Sequence, residues 1–356
     1  MMKICYFGAY NREYARNAVL RKGLQANDVE VVECNLSPQL KSYQRYPLLL
    51  RQYLRVFRGC KAVIVAECNQ TILPLAYLLA KLTKKPLVFD PFTSLYDTNV
   101  FDRRLVKENS LRARYYFWFD KFSMNLADLV LADTNQHLDY FCREFKIKIT
   151  KLRKVFVGAD NDLFFPQPLK RANSRFLVLF WGTYIPLHGI QYIIEAAKIL
   201  EKESKIRFEL VGKGQTWQEM RDLASRIKVD NLIFQDSVPP AVLPSLVAKA
   251  DLCLGIFGRT KKTEKVIPNK VYQALAAKKP VITADTPAIR EIFVDNEHLK
   301  LCRRADPESL ASAILELKNN QELRERIAEN GYRLAIKKFT PQALGRHLKG
   351  LLEEII

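Results

Sequence analysis

A chain of 356 residues exceeds what one ordinary hydrophobic core organises, and it points to two domains of about 150–200 residues each. With 48% hydrophobic, 11% aromatic and 27% charged residues, it is neither disordered nor collagen-like nor of low complexity. The 57 Lys and Arg against 38 Asp and Glu give a net charge of +19, which attracts polyanions: nucleic acid, an anionic membrane or phosphorylated small molecules.

The N-terminus, MMKICYFGAYNREYA, is strand-like and reaches charged residues too early for a signal peptide. Its first unit is a strand at Lys3–Phe7, a turn at Gly8-Ala9-Tyr10-Asn11 and a helix from Glu13 to Gln25. Further strands follow at Val29–Cys34, Ala62–Ala66, Pro86–Phe89 and Leu129–Ala132, with helical stretches between them. The longest apolar run, Thr71 to Ala80, is well short of the roughly 18–20 residues that span a bilayer, so the chain is expected to be soluble or to sit on a membrane. Residues 151–168 break the pattern and read as a crossover.

A second series has strands at Phe176–Phe180, Arg207–Val211, Asn231–Phe234, Asp251–Ile256 and Pro280–Ala284. Helices are predicted at Ile190–Lys202, Thr216–Lys228, Ala241–Lys249 and Asn269–Ala277, and nearly throughout after Pro307, with breaks at Gly331 and Thr340-Pro341. Strand and helix alternating in this way predict an α/β chain of two Rossmann-like domains, with ligands outside the C-terminal strand ends in the cleft between them. Seven scattered cysteines without a CxxC pair indicate neither a disulfide framework nor a zinc site.

Three glycine turns stand where a strand meets a helix: at Gly8, at Gly182-Thr183-Tyr184-Ile185-Pro186-Leu187-His188-Gly189, and at Gly212-Lys213-Gly214. Glycine there lets backbone amides approach a ligand, and the following helix offers free N–H groups to an anion. None matches GxGxxG or the Walker pattern, which disfavours hydride transfer and P-loop ATP hydrolysis. A fourth element runs from Glu264 through Pro268-Asn269-Lys270 to Gln273 and on to Pro280. Pro268 sets up a helix start and Asn269 suits an N-cap. Asn269 and Gln273 share a face, so a phosphate at the Asn269–Lys270 amides would have Gln273 one turn deeper, near an attached ribose. A capped amphipathic helix with a solvated basic start fits the same spacing.

Taken in order, these segments resemble the retaining, nucleotide-sugar-dependent glycosyltransferases of the two-Rossmann GT-B type, family 4. The matching places are Ala127–Thr134, Val157-Gly-Ala-Asp160 with Phe165-Pro166, Gly182–Gly189, Gly212-Lys-Gly-Gln215, Pro268–Ala276 and Lys279-Pro-Val-Ile282. The resemblance implies an acceptor-side domain at 1–165 and a donor-binding domain at 166–335. It implies also a C-terminal helix, 336–356, that packs back on the first domain. The donor is expected to be a nucleoside-diphosphate sugar as co-substrate, with neither a cofactor nor a metal. Donor-side residues would be Gly182, Thr183, Tyr184, Gly189, Gly212, Lys213, Gly214, Val238, Pro268, Asn269 and Gln273, with Lys270 and His188 catalytic. The chain departs from the family in its helix motif. Lys265 and Gln273 stand where two acids are usual, with Glu264 one residue out of register. Thr183 and His188 stand where Arg and Lys usually face the diphosphate. Lys213, Lys261, Lys262, Lys265 and Lys270 are the candidates to replace that charge.

On the first half, Gly8, Arg12, Arg16, Asn17, Ser94, Asp102 and Arg103 are expected to face an acceptor, with Asp97 as its catalytic polar partner; Asx turns and a helix cap are the other reading. No histidine is expected near this site. From Lys41 to Lys61 there are six basic residues and no acid. Leu50, Leu54 and Phe57 share one helical face there, with Arg51, Arg55 and Arg58 displaced from it. The stretch is either a covering helix or a patch for anionic lipid, and the aromatic run Arg112–Phe119 either extends that patch or belongs to the core. The expected function is sugar transfer to a lipid-linked or saccharide acceptor in cell-envelope or polysaccharide synthesis, in the cytoplasm and peripherally on the inner membrane face. A catalytically silent nucleotide-sugar-binding scaffold and a basic nucleic-acid binder are the alternatives, although no nucleic-acid module is recognisable.

Overall fold

Runs such as Ile4-Cys5-Tyr6-Phe7 and Ala62-Val63-Ile64-Val65 are apolar at every position, the pattern of a strand covered on both faces. In the computed structural model, which describes residues 1–168 and 175–356, both runs are parallel strands with no exposed side chain. Residues 169–174, within the stretch read as the start of the second domain, lie outside the described residues.

The chain divides into two units, Met1–Gly158 with Phe339–Ile356, and Ala159–Lys338. The first holds β1 (Met2–Ala9), β2 (Val29–Leu36), β3 (Ala62–Val65), β4 (Leu87–Phe89), β5 (Leu129–Ala132) and β6 (Leu152–Lys154), paired in the order β2-β1-β3-β4-β5-β6. Helices α1 (Ala15–Gln25), α2 (Ser42–Val56), α3 (Leu73–Leu82), α4 (Leu111–Leu126) and α5 (Asn135–Phe145) connect them. Strand β6 lies inside the stretch read as a crossover. It is an edge strand with one buried residue, Leu152, too little apolar pattern to read in sequence.

The second unit repeats the plan with β7 (Phe176–Trp181), β8 (Ile206–Val211), β9 (Leu232–Gln235), β10 (Leu252–Leu254), β11 (Val281–Ala284) and β12 (Lys300–Cys302), in the order β12-β11-β10-β7-β8-β9. Its helices are α6 (Ile190–Ile199), α7 (Trp217–Arg226), α8 (Leu243–Lys249), α9 (Asn269–Ala276), α10 (Pro287–Arg290), α11 (Pro307–Asn319) and α12 (Gln321–Lys338). Strand order reverses between β7 and β10, so their C-terminal ends flank the switch point where this topology leaves room for a ligand.

Two helical readings are corrected. Gly331 does not end a helix; α12 runs through it, and the glycine serves close packing instead, since a Cβ there would stand 2.5 Å from the His298 carbonyl oxygen and 2.6 Å from Leu275. On α2 the buried residues are Leu49 and Tyr53, while Leu50 and Leu54 remain 38% and 58% exposed. Of the face read as apolar, Leu50 and Leu54 are therefore turned outward, while Phe57 packs partly buried against the core.

After α12 the chain returns to the first unit as α13 (Pro341–Glu353), whose Leu348, Leu351 and Leu352 join Leu20 and Leu24 in one core cluster. Glycines make the crossing of α1 and α13 possible: a Cβ on Gly23 would lie 2.3 Å from the Pro341 carbonyl oxygen, and one on Gly345 2.0 Å from the Gly23 carbonyl. Overpacking a core contact costs about 1–3 kcal/mol. Gly345→Ala is therefore expected to lower the denaturant midpoint measurably, and Gly350→Ala, which meets nothing within 4 Å, is expected not to.

Candidate active site

Strand β7 ends at Trp181 and turns at Gly182 with φ +143°; β8 ends at Val211 and turns at Gly212 with φ +136°. A Cβ on Gly212 would be 2.0 Å from the Gly182 carbonyl oxygen, so the two turns touch backbone to backbone. Tyr184 N–H donates to the Lys213 carbonyl at 3.0 Å and Thr216 N–H to the Tyr184 carbonyl at 3.1 Å, closing the seam. Beyond it a short 3-10 turn, Pro186–His188, leads through Gly189 (φ +62°) into α6.

The third component is α9. Its N-cap is Pro268 rather than Asn269, which is the first helical residue, and no side chain caps this end. Lys270 points from the first turn toward the glycine seam. A Cβ at position 182 would stand 3.0 Å from Lys270 Nζ and 3.1 Å from His188 Cε1, so the glycine is what lets both groups occupy this spot. Lys270 is 5% exposed. Its Nζ lies 3.8 Å from the centroid of the Phe180 ring and has no hydrogen-bond partner among the described residues. Burial without a counter-charge holds the amine well below its ordinary pKa. Of the lysines considered as replacement charges, Lys270 is thus the one against the glycine turn.

His188 packs edge-on against Phe180, 5.5 Å between centroids, and its Nδ1 bonds to the Thr183 carbonyl. A carbonyl only accepts, so the proton sits on Nδ1 and Nε2–H exists only in the imidazolium. Gln273, half-buried, accepts from the Trp181 indole at 3.1 Å, which fixes its amide and turns Nε2 into its remaining polar contact. Thr183 is exposed and Val238 half-buried in the loop after β9. Lys213 is exposed and pairs with Asp236 at 2.8 Å. Glu264, beside the usual acid position, is tied to Arg304 at 2.7 Å. The reading of Tyr184 as a donor contact is corrected: its side chain is fully buried against Trp217, with its hydroxyl toward the Leu210 carbonyl, and only its backbone lines the turn.

At the C-terminal strand ends of the first unit, the predicted acceptor contacts are mostly interior. Arg16 is buried completely and donates from Nε to Asp90 at 2.6 Å and from Nη1 to the Val155 carbonyl at 2.9 Å. Asn17, also buried, donates to Glu67 and accepts from the Tyr6 hydroxyl. Ser94 donates to Asp120 at 2.7 Å and accepts from the backbone of Asp97. Asp97 and Asp102 are 2% and 0% exposed. These five lie buried in a polar layer of the domain, in which Arg16, Asn17 and Ser94 bond to other side chains, while Arg16 Nη2 and Asp90 Oδ1 have no hydrogen-bond partner among the described residues. Gly8 is buried against Asn69, which accepts from Ala9 N–H at 2.8 Å. Arg103 is half-buried, and Arg12 is exposed and paired with Glu33 at 3.0 Å.

Reading by residue type missed two groups here. His137, on the first turn of α5, bonds through Nδ1 to Asp133 at the end of β5, both 2% exposed. The Asp-x-x-x-His spacing after a strand was the available signal. Glu67, after β3, is pushed up to about 8 by burial and by the nearby Asp90 charge.

The sequence of residues 162–334 matches the family model described as glycosyl transferases group 1. An uncharacterized glycosyltransferase of Methanocaldococcus jannaschii is 23% identical over 258 residues, 70% of this chain and 66% of that one. The alpha-D-kanosaminyltransferase of Streptomyces kanamyceticus is 23% identical over 326 residues, 86% of this chain and 81% of that one. Among solved structures, Anabaena HepE in complex with UDP superposes with a TM-score of 0.76 at 14% identity, over 99% of this chain and 100% of that one. Two parallel six-stranded sheets with this likeness define a GT-B glycosyltransferase fold. Within it, the residues similar to the glycosyl transferases group 1 model, 162–334, fall in the second unit.

Glu67 makes a pH prediction. Its folded pKa lies above the unfolded value near 4.5, so its contribution to stability is intact below that value and is lost as pH rises through about 8. Between pH 5 and pH 9 the native state should lose about 2–4 kcal/mol on this account. Glu67→Gln, which keeps an acceptor for Asn17, is expected to flatten the melting temperature over that range.

Proposed function

We propose that the chain transfers a sugar, with retention at the anomeric carbon, from a nucleoside-diphosphate donor held by the second unit to a lipid-linked or saccharide acceptor of envelope or polysaccharide synthesis. The observation that carries this reading is Lys270: a buried amine without a protein counter-charge, at the uncapped start of α9, against a glycine turn that leaves space beside it. A buried amine in that state is stabilised by an anion that arrives with the ligand, and a diphosphate is the anion this type of donor brings.

When the sugar–phosphate bond breaks, negative charge builds on the departing diphosphate while the sugar becomes oxocarbenium-like. The α9 amides and the Lys270 ammonium, its protonation restored by the phosphates, then stabilise the leaving group more than the intact donor. His188 contributes a second donor through Nε2 only when protonated, since Nδ1 is held by Thr183. Gln273, fixed by Trp181, is left with Nε2 to offer a ribose hydroxyl. The protein acts in the cytoplasm, and the basic stretch Lys41–Lys61 holds it to an anionic membrane face.

A thermal-shift panel of UDP-, GDP- and ADP-sugars identifies the donor; at 100 times Kd the cognate one should add ~2.7 kcal/mol. With that donor, Lys270→Ala is expected to lower kcat by roughly 10²-fold or more, as removal of one oxyanion donor does. His188→Ala should cost more at pH 6 than at pH 8. Near-native turnover of Lys270→Ala, with His188→Ala inactive at every pH, would transfer the role to the histidine.

A further inference from the structure

Helix α4 is built the wrong way round for a covering helix. The residues it buries are Ala113, Asp120, Ser123 and Met124, whereas Leu111, Tyr115, Trp118 and Phe122 are 82%, 53%, 60% and 52% exposed. Those four are spaced by four, three and four residues and therefore form one stripe along the helix. An exposed apolar stripe of that size marks a surface that something covers.

The residues beside the stripe identify the occupant. Its single acid, Asp120, is buried, while Arg112 and Arg114 are exposed and the Lys121 ammonium lies 5.0 Å from the Trp118 ring. The Tyr46 hydroxyl of α2 donates to the Thr71 carbonyl, in the turn before α3 that α4 also packs against, so the stripe's helix adjoins the acid-free helix that carries Arg51, Arg55 and Arg58. Tyr43, Leu50 and Leu54 of that helix are exposed as well. Large aromatics beside arginine and lysine, with no exposed acid on the helix itself and Glu108 just before it, match the interface of an anionic bilayer, where rings sit at headgroup depth and cations meet lipid phosphates. A second copy of the chain fits poorly, since a twofold contact would set these basic residues against themselves.

We infer that α4 is the membrane-inserting element of this protein, its Leu111–Tyr115–Trp118–Phe122 stripe entering the interface of an anionic bilayer beside the basic helix α2. The inference rests on the reading of Lys41–Lys61 as a membrane contact and supplies the apolar component that charge attraction alone lacks.

The test uses the full chain with phosphatidylcholine vesicles, with and without phosphatidylglycerol. Wild type should sediment with the anionic vesicles and its tryptophan emission should shift to the blue, a shift absent in Trp118→Phe. The double variant Trp118→Ser/Phe122→Ser should lose roughly tenfold or more in vesicle partition, the scale expected for removing two interfacial anchors, with an unchanged donor-induced thermal shift. Arg51, Arg55 and Arg58 changed to Gln should weaken binding chiefly at low salt. If wild type sediments but Trp118 emission is unmoved and the serine variant binds equally, the inference fails while the basic contact stands. Absence of binding to either vesicle overturns both. A solution dimer that the serine variant dissolves would assign the stripe to self-association and overturn the inference.

Discussion

The approach of Gly212 to the Gly182 carbonyl, too close for any side chain, is the constraint on which the donor side of the molecule depends. It brings the ends of β7 and β8 into backbone contact and leaves a gap above Gly182 that Lys270 and His188 approach from opposite elements. Any larger residue at 182 would push the amine away from the gap, and any at 212 would part the strands. The electrostatics follow from this geometry. An amine brought so close to a ring and a glycine has no hydrogen-bond partner among the described residues, and burial holds it well below its ordinary pKa.

The first unit solves a different problem at the same strand ends. Its polar residues bond to one another: Arg16 with Asp90, Asn17 with Glu67 and Tyr6, Ser94 with Asp120, Asp133 with His137. Asp120, with three hydrogen bonds to it, is still pushed up to about 6, because burial outweighs the donors around it. Such a layer raises the cost of changing any one member.

These differences explain what could be read from sequence. Strands with apolar residues throughout, such as Ala62–Val65 and Phe176–Phe180, were legible because burial on both faces leaves no other pattern. β6 and β12 were not, being three residues long with charged members. On the donor side, glycine at a strand end and proline before a helix are local signals with local causes, and Gly182, Gly189, Gly212 and Pro268 stand at the turns that need them. The first unit misled because Arg16 and Asp90 are 74 residues apart. A polar residue after a strand looks the same whether its partner is a ligand or a distant side chain. The stripe on α4 was ambiguous for a related reason: spacing gives a face but not the side of the helix the core occupies.

The crossing of α13 over α1 has a consequence for biogenesis. Leu20 and Leu24 wait for Leu348, Leu351 and Leu352, which the ribosome makes only after the whole second unit. The nascent first unit therefore carries an uncovered apolar seam throughout that interval, and the second unit can close on itself first even though it is translated later. A chaperone that shields α1 would therefore act during elongation rather than after release.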